Sequence, residues 1–591
     1  MGVHEIAFTN RRFTWSNHQP SPILVRLDRF FVNNLWCQAF PSSSSVCLTA
    51  PVSNHAPILL TASTNVPRPV VFRFNNHWIH HHEFNSIVQS AWESVVSSRP
   101  LLSQSAKLCL CLKRSRADLK AWSKQLRQPD QVLANCNLVV GMMDALEEQR
   151  PLSHAEFTLR TLVRESAARQ STMIAAYWHQ RGKVKRCCLS DENTAYHHMC
   201  ATVHMRNNKI KAFEVDGQVI SDHPGKAELL LNFYRNLLGQ DVETTTIPGL
   251  ETLFSDSRLD TFQAEQLVQP FTAQELRRAV FDMRIDSAPG PDGFGPSFFR
   301  AQWDLVKDDL LCLLNDFHSG TIDLRRFNMA FIVLLPKKKF ATHPKDYQPI
   351  SLQNCSTKIC TKSMTTRLQQ FIEVLVHADQ TGFIKGRSIS ETFVYAAEIV
   401  QCCHKRKVLA VVLKLDFQKA FDLVSWRALD QILEAKGFPL RWREWIQSLN
   451  ITSQTAVMLN GAPGKWIPCK KGLRQGDPLS PYLFIIVADL LQCLVLQAAD
   501  SGVLEHPLVP HAPPPILQYA DDTLLIVKAD VDQLCLVKQI LDSFSEMTGL
   551  KINFEKSTMV PMSVAPDEQS LLASVFGCPV ARVENGRNRS G

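Results

Sequence analysis

The stretch ILQYADDTLLIV, residues 516–527, constrains the fold more than any other part of this sequence. Two apolar, β-favouring runs flank a polar pair, a pattern typical of a β-hairpin with a tight turn. Asp is a common turn residue, so a plain turn is one interpretation. Adjacent carboxylates repel each other, however, and Asn-Gly or Asp-Gly would form the turn at lower cost. The alternative is that Asp521 and Asp522 bind a divalent cation such as Mg²⁺, which takes oxygen ligands.

A further candidate acid follows an apolar run of strand length. Residues 408–415, VLAVVLKL, are nearly all apolar, and Asp416 comes directly after them. Such a run is typical of a strand buried on both faces, whose end can hold a catalytic group rigidly. Taken alone, Asp416 could equally be the N-cap of a helix. Carboxylates on two strands could together hold two metal ions, an arrangement that suits phosphoryl transfer in a nucleotide polymerase.

Two more segments carry both a structural and a functional interpretation. The run FIVLLPKKKF predicts a strand that ends in lysines, which are either simply solvated or face phosphate. In GLRQGDPLSP, Ser480 as N-cap and Pro481 at the first helical position predict the start of a helix. Gly472 and Gly476 in the same segment let the backbone approach a ligand closely. Ordinary helix initiation explains this segment equally well.

Length and composition bound the class of protein. The 591 residues predict three or more domains, at roughly 100 to 200 residues each. An apolar content of 45% is globular, and a net charge of +8 permits a nucleic-acid partner without requiring one. Seventeen cysteines without any Cys-x-x-Cys favour a reducing, intracellular compartment. No secretory signal is predicted, and the long apolar stretch PYLFIIVADLLQCLVLQAA carries Asp489, which predicts a buried helix and no membrane span.

The chain changes character twice along its length. Residues 1–65 are predicted to be strand-rich, and the sequence from Trp78 to about Leu238 is predicted to be helical. A third region begins near residue 271, where FTAQELRRAV predicts a capping box between Thr272 and Glu275. The following SAPGPDGFGPSFF is predicted to be a rigid loop because it is rich in Pro and Gly.

Five motifs occur in the order LLPKKKF, LKLDFQKAFD, GLRQGDPLSP, YADD and GLKINFEKS. This order resembles the reverse transcriptases of non-LTR retrotransposons, particularly the LINE-type elements of plants, over roughly half of the chain. The resemblance implies an α+β fold of reverse-transcriptase fingers and palm at residues 256–578, with a core at 317–560 and a divergent tail at 579–591. It implies addition of deoxynucleotides to a DNA 3′-hydroxyl on an RNA template, with two Mg²⁺ ions, or Mn²⁺ as the alternative. The expected partners are therefore an RNA template, a DNA primer or target and deoxynucleoside triphosphates, in the nucleus.

The resemblance also assigns roles to individual residues. In the family, the acids of the KLDF and YADD motifs hold the metal ions, and an aromatic ring five residues after the first acid lies under the incoming sugar. Other positions line the nucleotide pocket, meet the triphosphate or donate a proton to pyrophosphate. In this sequence the matching residues are Asp416, Asp521 and Asp522 for metal, Phe421 for the sugar, Gln475 and Gly476 for the pocket, Lys337 or Lys338 for the triphosphate, and Lys556 as the candidate proton donor.

The N-terminal motifs FTWSN, RLDRFFV and FRFNNHW resemble the end of an apurinic-type endonuclease and the linker that follows it. They imply a small α/β endonuclease remnant at residues 1–65 and a mostly helical linker at 66–255. The family has Ser-Asp-His where this chain has Ser53, Asn54 and His55. An amide cannot stabilise an imidazolium as a carboxylate does, and the metal-binding half of the nuclease is expected to be absent, so no nuclease activity is expected.

One departure lies in the polymerase motifs themselves. The family has Arg in DYRPISL, whereas this chain has Gln348 in DYQPISL. Loss of a charge-assisted bond to the triphosphate would weaken nucleotide binding by about 1.5 to 3 kcal/mol. The thumb and a terminal nucleic-acid-binding module are expected to be absent after Cys578. Two alternatives therefore stay open: a catalytically inactive fragment that acts at most as an RNA-binding scaffold, and a maturase-like splicing factor, against which the endonuclease-like start argues.

Overall fold

The N-terminal region consists of short antiparallel strand pairs around one helix. The computed structural model describes residues 3–6, 8, 11–40, 43–48, 53–62, 71–98, 102–126, 129–182, 194–242, 244–247, 249–338 and 340–581. The first elements are β1 (Val3–Ile6), β2 (Trp15–Ser16), β3 (Leu24–Val25), β4 (Phe30–Asn33), α1 (Asn34–Ala39), β5 (Ser44–Cys47) and β6 (Ile58–Thr61). β1 pairs with β4, β2 with β3 and β5 with β6. The predicted strand-rich start is confirmed for the described residues.

Helices dominate the middle of the chain. They are a 3₁₀ turn (Asn76–His80), α2 (Phe84–Ser98), α3 (Gln104–Ser123), α4 (Pro129–Gln149), α5 (His154–Gly182) and α6 (Thr194–Asn208), followed by β7 (Phe213–Val215), β8 (Gln218–Ile220), α7 (His223–Leu238) and α8 (Leu250–Leu253). The helical prediction is wrong for the β7–β8 hairpin. Asp216 and Gly217 form its turn, both with positive φ, and this Asp-Gly pair is the hairpin signal that the prediction overlooked.

The remainder of the chain alternates helices and strands. Its helices are α9 (Thr261–Leu267), α10 (Ala273–Phe281), α11 (Pro296–Ala301), α12 (Trp303–Ser319), α13 (Cys355–Leu368), α14 (Ile372–Leu375), α15 (Ile389–Lys405), α16 (Ala420–Leu423), α17 (Trp426–Ala435), α18 (Leu440–Ile451), α19 (Ser480–Asp500), α20 (Val531–Thr548) and α21 (Pro566–Phe576). Its strands are β9 (Met329–Pro336), β10 (Tyr347–Gln353), β11 (Ala410–Leu415), β12 (Phe417–Gln418), β13 (Gln454–Leu459), β14 (Ala462–Pro468), β15 (Ile516–Tyr519), β16 (Asp522–Lys528), β17 (Lys551–Ile552) and β18 (Thr558–Met562).

The first of two four-stranded sheets has the order β15-β16-β11-β18, with every neighbouring pair antiparallel; we call it the palm sheet. Its central strand β11 is buried at every position but Lys414, because apolar side chains cover both of its faces. This observation confirms the predicted buried strand, which begins two residues later than expected. The predicted hairpin of β15 and β16 is also confirmed.

The second sheet has the order β10-β9-β13-β14, with β9 and β13 parallel; we call it the fingers sheet. One of its faces packs against α7, through Leu230, Tyr234 and Leu238. Helix α7 lies within the predicted linker, yet it shares a hydrophobic core with this sheet. A boundary at residue 255 remains a prediction.

Helix α19 passes through the main core. Among the described residues it is the one helix long and apolar enough to cross a membrane, and most of its apolar window is buried inside the protein. The helix begins at Ser480 as predicted, but the expectation that Ser480 is its N-cap is wrong. Leu479 precedes the helix, and its N–H donates to Asp477 Oδ1 at 2.8 Å. The side chain that supports the start of the helix is therefore that of Asp477, three positions before Ser480.

Two local predictions upstream have opposite outcomes. The capping box between Thr272 and Glu275 at the start of α10 is confirmed. The prediction that SAPGPDGFGPSFF is entirely loop is wrong, because α11 begins at Pro296. Proline suits the first helical position, where its missing N–H would have had no partner within the helix.

Candidate active site

The three predicted acids lie at one end of the palm sheet. Asp522 is the first residue of β16, and Asp416 directly follows β11. The register pairs Leu415 with Thr523, which sets Asp416 across from Asp522 on strands about 4.8 Å apart. Asp521 lies in the two-residue turn between β15 and β16. The palm sheet therefore brings the three carboxylates to one of its ends.

The charges of this group influence one another. Partial burial raises the pKa of Asp521, and the negative charges of Asp522 and Asp416 raise it further. Among the described residues, no three His, Cys, Asp or Glu side chains converge closely enough to form a ready-made metal site. The donors nevertheless suit Mg²⁺, which prefers oxygen ligands and often needs few protein carboxylates beside phosphate and water. A bound cation would also relieve the repulsion that raises the pKa of Asp521.

Asp416 is held by two residues that the sequence reasoning missed. Asn553 Nδ2 donates to Asp416 Oδ2 at 3.2 Å, and the Asp416 N–H donates to Ser557 Oγ at 3.1 Å. The Asn553 N–H also donates to the Asp416 carbonyl at 2.7 Å. Both residues belong to GLKINFEKS, so the motif itself was a signal. Lys556 lies in the same turn and is exposed, beside the segment that holds Asp416.

The structure distinguishes the two candidate triphosphate lysines. Lys338 Nζ lies 3.0 Å from Asp346 Oδ1 and is engaged in that ion pair. Lys337 instead lies close enough to Asp521 for its charge to oppose the rise in the pKa of that carboxyl. A third cation, Lys419, lies close enough to Lys337 for their charges to interact, and the sequence reasoning missed it. Burial lowers the pKa of Lys419 to about 8; the charge of Asp422 opposes this decrease, and that of Lys337 adds to it.

The predicted sugar-contacting ring is fixed by stacking. Phe421 stacks on Phe484 of α19, with ring centroids 4.7 Å apart and an interplanar angle of 20°. Its carbonyl accepts the N–H of Leu473 at 2.6 Å. Gly472 has φ +84°, and a Cβ there would lie 2.6 Å from the carbonyl oxygen of Asp422. The GLRQGDP loop can therefore pack this closely on the Phe421 segment only with glycine at position 472.

The same loop contacts the fingers sheet on its other side. The Ser351 N–H donates to the Gln475 carbonyl at 2.8 Å. Gly476 has φ +107°, and a Cβ there would lie 3.0 Å from the Ser351 carbonyl oxygen and 3.8 Å from Ile350. Gln348 is exposed two residues before Ile350, on the same face of β10. Gln475, Gly476 and Gln348 thus lie around one side of the fingers sheet.

In the N-terminal region, His55 has a carboxylate partner that the sequence did not predict. His55 Nδ1 lies 3.0 Å from Asp28 Oδ2, and this bond lowers the pKa of Asp28. The expectation that Asn54 deprives His55 of a carboxylate is therefore wrong, because Asp28 of the RLDRFFV motif supplies one. Asn54 contributes its carbonyl oxygen, which accepts the Ser16 N–H at 3.1 Å. The absence of nuclease activity remains a prediction, but Asn54 no longer supplies a reason for it.

Comparison with known proteins finds similarity to one protein family and to several retrotransposon proteins. Residues 335–569 match the family described as "Reverse transcriptase (RNA-dependent DNA polymerase)". The "Transposon TX1 uncharacterized 149 kDa protein" of Xenopus laevis is 24% identical over 543 residues, which are 90% of this chain and 40% of that protein. The Pol polyprotein of the type-2 retrotransposable element R2DM of Drosophila melanogaster is 26% identical over 306 residues, covering 52% of this chain and 28% of the polyprotein. The R2 Pol polyprotein of Nasonia vitripennis is 28% identical over 228 residues, covering 38% and 21%. The chain spans less than half the length of each of these relatives.

Proposed function

We propose, from the premise that this chain carries a LINE-type reverse-transcriptase domain, that the protein extends a DNA 3′-hydroxyl with deoxynucleotides on an RNA template. Reverse transcriptases in general use an RNA template, a DNA primer, nucleotide substrates and divalent metal ions. For this chain we infer Mg²⁺ as the ion and a nuclear DNA end as the primer. The arrangement of Asp416, Asp521 and Asp522 at one end of two paired strands carries the proposal.

The three carboxylates are the residues that would hold the metal. A bound divalent ion supplies positive charge at the reacting phosphate and lowers the pKa of the attacking hydroxyl. Lys337 lies close enough to Asp521 for their charges to interact, and it would neutralise part of the triphosphate charge. Lys556 is exposed in the neighbouring turn and would donate a proton to the departing pyrophosphate.

Selection of the sugar would depend on Phe421. Its ring is stacked on Phe484 and cannot swing away freely, so a 2′-hydroxyl placed against it would collide with the ring. Gln475 and Gly476 would form the floor of the nucleotide pocket through backbone that approaches β10 closely. Gln348 would lie near the triphosphate but offers a neutral amide where an arginine would bring a permanent charge.

We also propose a division of the chain into regions. We infer that residues 1–65 derive from an apurinic-type endonuclease, that residues 66–255 are a linker, and that 256–578 are fingers and palm with a core at 317–560. The Asp28–His55 pair supports the first assignment, because a carboxylate that orients an imidazole is the expected arrangement at a hydrolytic centre. Most of the tail at 579–591 lies outside the described residues, which end at 581.

Primer extension tests the proposal directly. Purified protein with poly(rA), oligo(dT), dTTP and Mg²⁺ should extend the primer. Asp416→Asn and Asp521→Asn should each reduce the rate about 100-fold or more, because each removes charge stabilisation at the reacting phosphate. Asp542→Asn is the matched control, since Asp542 is an exposed carboxylate on α20. Equal rates in all three variants would exclude the assigned acids.

One observation favours a second candidate, the catalytically inactive RNA-binding scaffold. Gln348 replaces the arginine that the motif normally carries, and the loss of one charge-assisted bond costs about 1.5 to 3 kcal/mol. A protein that binds RNA but extends no primer, even after Gln348→Arg, would establish the scaffold over the enzyme.

A further inference from the structure

The turn that carries Asp521 lies against a short segment between α14 and α15. In this segment the Thr381 N–H donates to the Gln518 carbonyl at 2.9 Å, and the Gln518 N–H donates to the Asp379 carbonyl at 3.0 Å. These two bonds form a parallel bridge between Gln380 and Gln518 of β15. Residues 379–381 therefore pair with the edge of the palm sheet, directly beside the acidic turn.

Gln380 contacts the turn through its side-chain amide. Its Oε1 accepts the N–H of Ala520 and the N–H of Gly382, each at 2.9 Å, and its Nε2 donates to the Ala520 carbonyl at 3.4 Å. The side chain is 1% exposed. One glutamine thus pairs both backbone polar groups of Ala520, the residue immediately before Asp521.

Ala520 needs this support because of its backbone conformation. Its φ is +56°, in the left-handed region that an alanine adopts at a cost of about 1 to 2 kcal/mol. The residue is also 4% exposed, so an unpaired N–H there would be buried away from water. The bonds from Gln380 therefore stabilise a turn conformation that alanine does not itself prefer.

The segment itself is closely fitted and anchored. A Cβ at Gly382 would lie 2.5 Å from the Ala520 nitrogen, so only glycine permits this approach. Behind the segment, the Arg387 guanidinium donates to the carbonyls of His377 at 2.6 Å and Gln380 at 2.8 Å. Arg387 thus holds the backbone of Gln380, while the turn holds its side chain.

We propose that Gln380 is a positioning residue for Asp521. By fixing both backbone groups of Ala520, it sets the direction in which the Asp521 carboxylate leaves the turn, toward Asp416 and Asp522. The site's affinity for divalent metal depends on this direction. The inference rests on the proposed function to the extent that these carboxylates bind metal.

Gln380→Met tests the inference, because methionine has a similar size and cannot accept either N–H. Binding of Mn²⁺ to the protein without nucleotide or nucleic acid is measured by the electron paramagnetic resonance signal of the free ion. We expect Gln380→Met to weaken binding by about 10-fold or more, the usual effect of removing a residue that orients a metal ligand. Gln492→Met is the matched control, since Gln492 is also 1% exposed but lies on α19; it should change binding less than about twofold on the same principle.

A second readout separates positioning from general destabilisation. In primer extension, Gln380→Met should raise the Mg²⁺ concentration for half-maximal rate more than it raises the KM for dTTP at saturating Mg²⁺. Thermal unfolding is followed for both methionine variants. If Gln380→Met does not fold, Gln380→Asn replaces it: the amide remains, but the side chain is one methylene too short to reach Ala520, and the same loss of Mn²⁺ binding is expected.

The outcomes distinguish this inference from the proposed function. Asp521→Asn is included to identify Mn²⁺ binding at the site. If the parent protein shows no binding that depends on Asp521, the metal site fails and the positioning role fails with it. If such binding exists and the folded Gln380 variant retains it unchanged, the proposed function stands and the positioning role is overturned.

Discussion

Disruption of the buried ion pair between Lys436 and Asp489 is expected to destabilise the protein strongly. Lys436 Nζ donates to Asp489 Oδ2 at 2.7 Å, to the Leu375 carbonyl at 2.6 Å and to Ser257 Oγ at 3.1 Å. Neither charged side chain exposes any surface. The ammonium also lies 3.9 Å from the centroid of the Phe254 ring. Every proton of the buried cation therefore has a partner.

Lys436→Met removes the cation and leaves the Asp489 carboxylate buried without its counter-charge. Removing one partner of a buried ion pair costs about 3 to 5 kcal/mol. Methionine fills a similar volume, so little of this loss comes from a cavity. We expect the free energy of unfolding to fall by about that amount, measured by urea denaturation followed through tryptophan fluorescence.

Two further variants test the reasoning. Lys307→Met is the matched control, because Lys307 Nζ lies 3.3 Å from Asp304 Oδ1 in an exposed pair on α12; its loss should cost less than about 1 kcal/mol. The double variant Lys436→Met with Asp489→Leu removes both charges and should recover part of the lost stability; recovery is incomplete because the His377 N–H loses its acceptor. If Lys436→Met and Lys307→Met unfolded at the same urea concentration, the electrostatic argument would be refuted.

Three other predictions concern the site and its surroundings. Phe421→Val should increase ribonucleotide incorporation in primer extension, and unchanged discrimination would remove Phe421 from the sugar contact. Gln348→Arg should lower the KM for deoxynucleotides about tenfold, the equivalent of about 1.4 kcal/mol; an equal KM would show that the side chain points elsewhere. Burial raises the pKa of Asp292 to about 7, so the folded state binds a proton that the unfolded state releases near pH 4, and stability falls as pH rises between those values. Urea titrations should show this decline in the parent protein and not in Asp292→Asn.

The local part of the site was predictable from the sequence. Two apolar, β-favouring runs on either side of the polar pair in YADD predict the hairpin, because this pattern is typical of two strands joined by a tight turn. The apolar run before Asp416 predicts a covered strand. The glycines in GLRQGDP predict close approach of the backbone, and Gly472 lies that close to the Asp422 carbonyl of the protein itself, whereas approach to a ligand stays a prediction. Each of these features depends on a few neighbouring residues, which is why the sequence carries it.

Contacts between distant segments were not predictable in the same way. His55 was expected to depend on residue 54, its sequence neighbour, but its carboxylate partner is Asp28, which lies 27 positions earlier. The partner of the Ala520 backbone is Gln380, 140 positions away. A side-chain amide or carboxylate carries no signal for which distant backbone or ring it will meet, because packing of the whole domain decides that contact.

These distant contacts connect the interior of the domain to the acidic turn. Asp489 binds Lys436 through one carboxylate oxygen, and its other oxygen accepts the His377 N–H at 2.9 Å. His377 is three residues before Gln380, whose amide holds Ala520 and with it the start of the acidic turn. The charge in the middle of the apolar helix α19 therefore anchors the segment that orients Asp521. Because both ends of this connection are buried and hydrogen-bonded, a change at Lys436 should alter the geometry of the turn as well as the stability of the core.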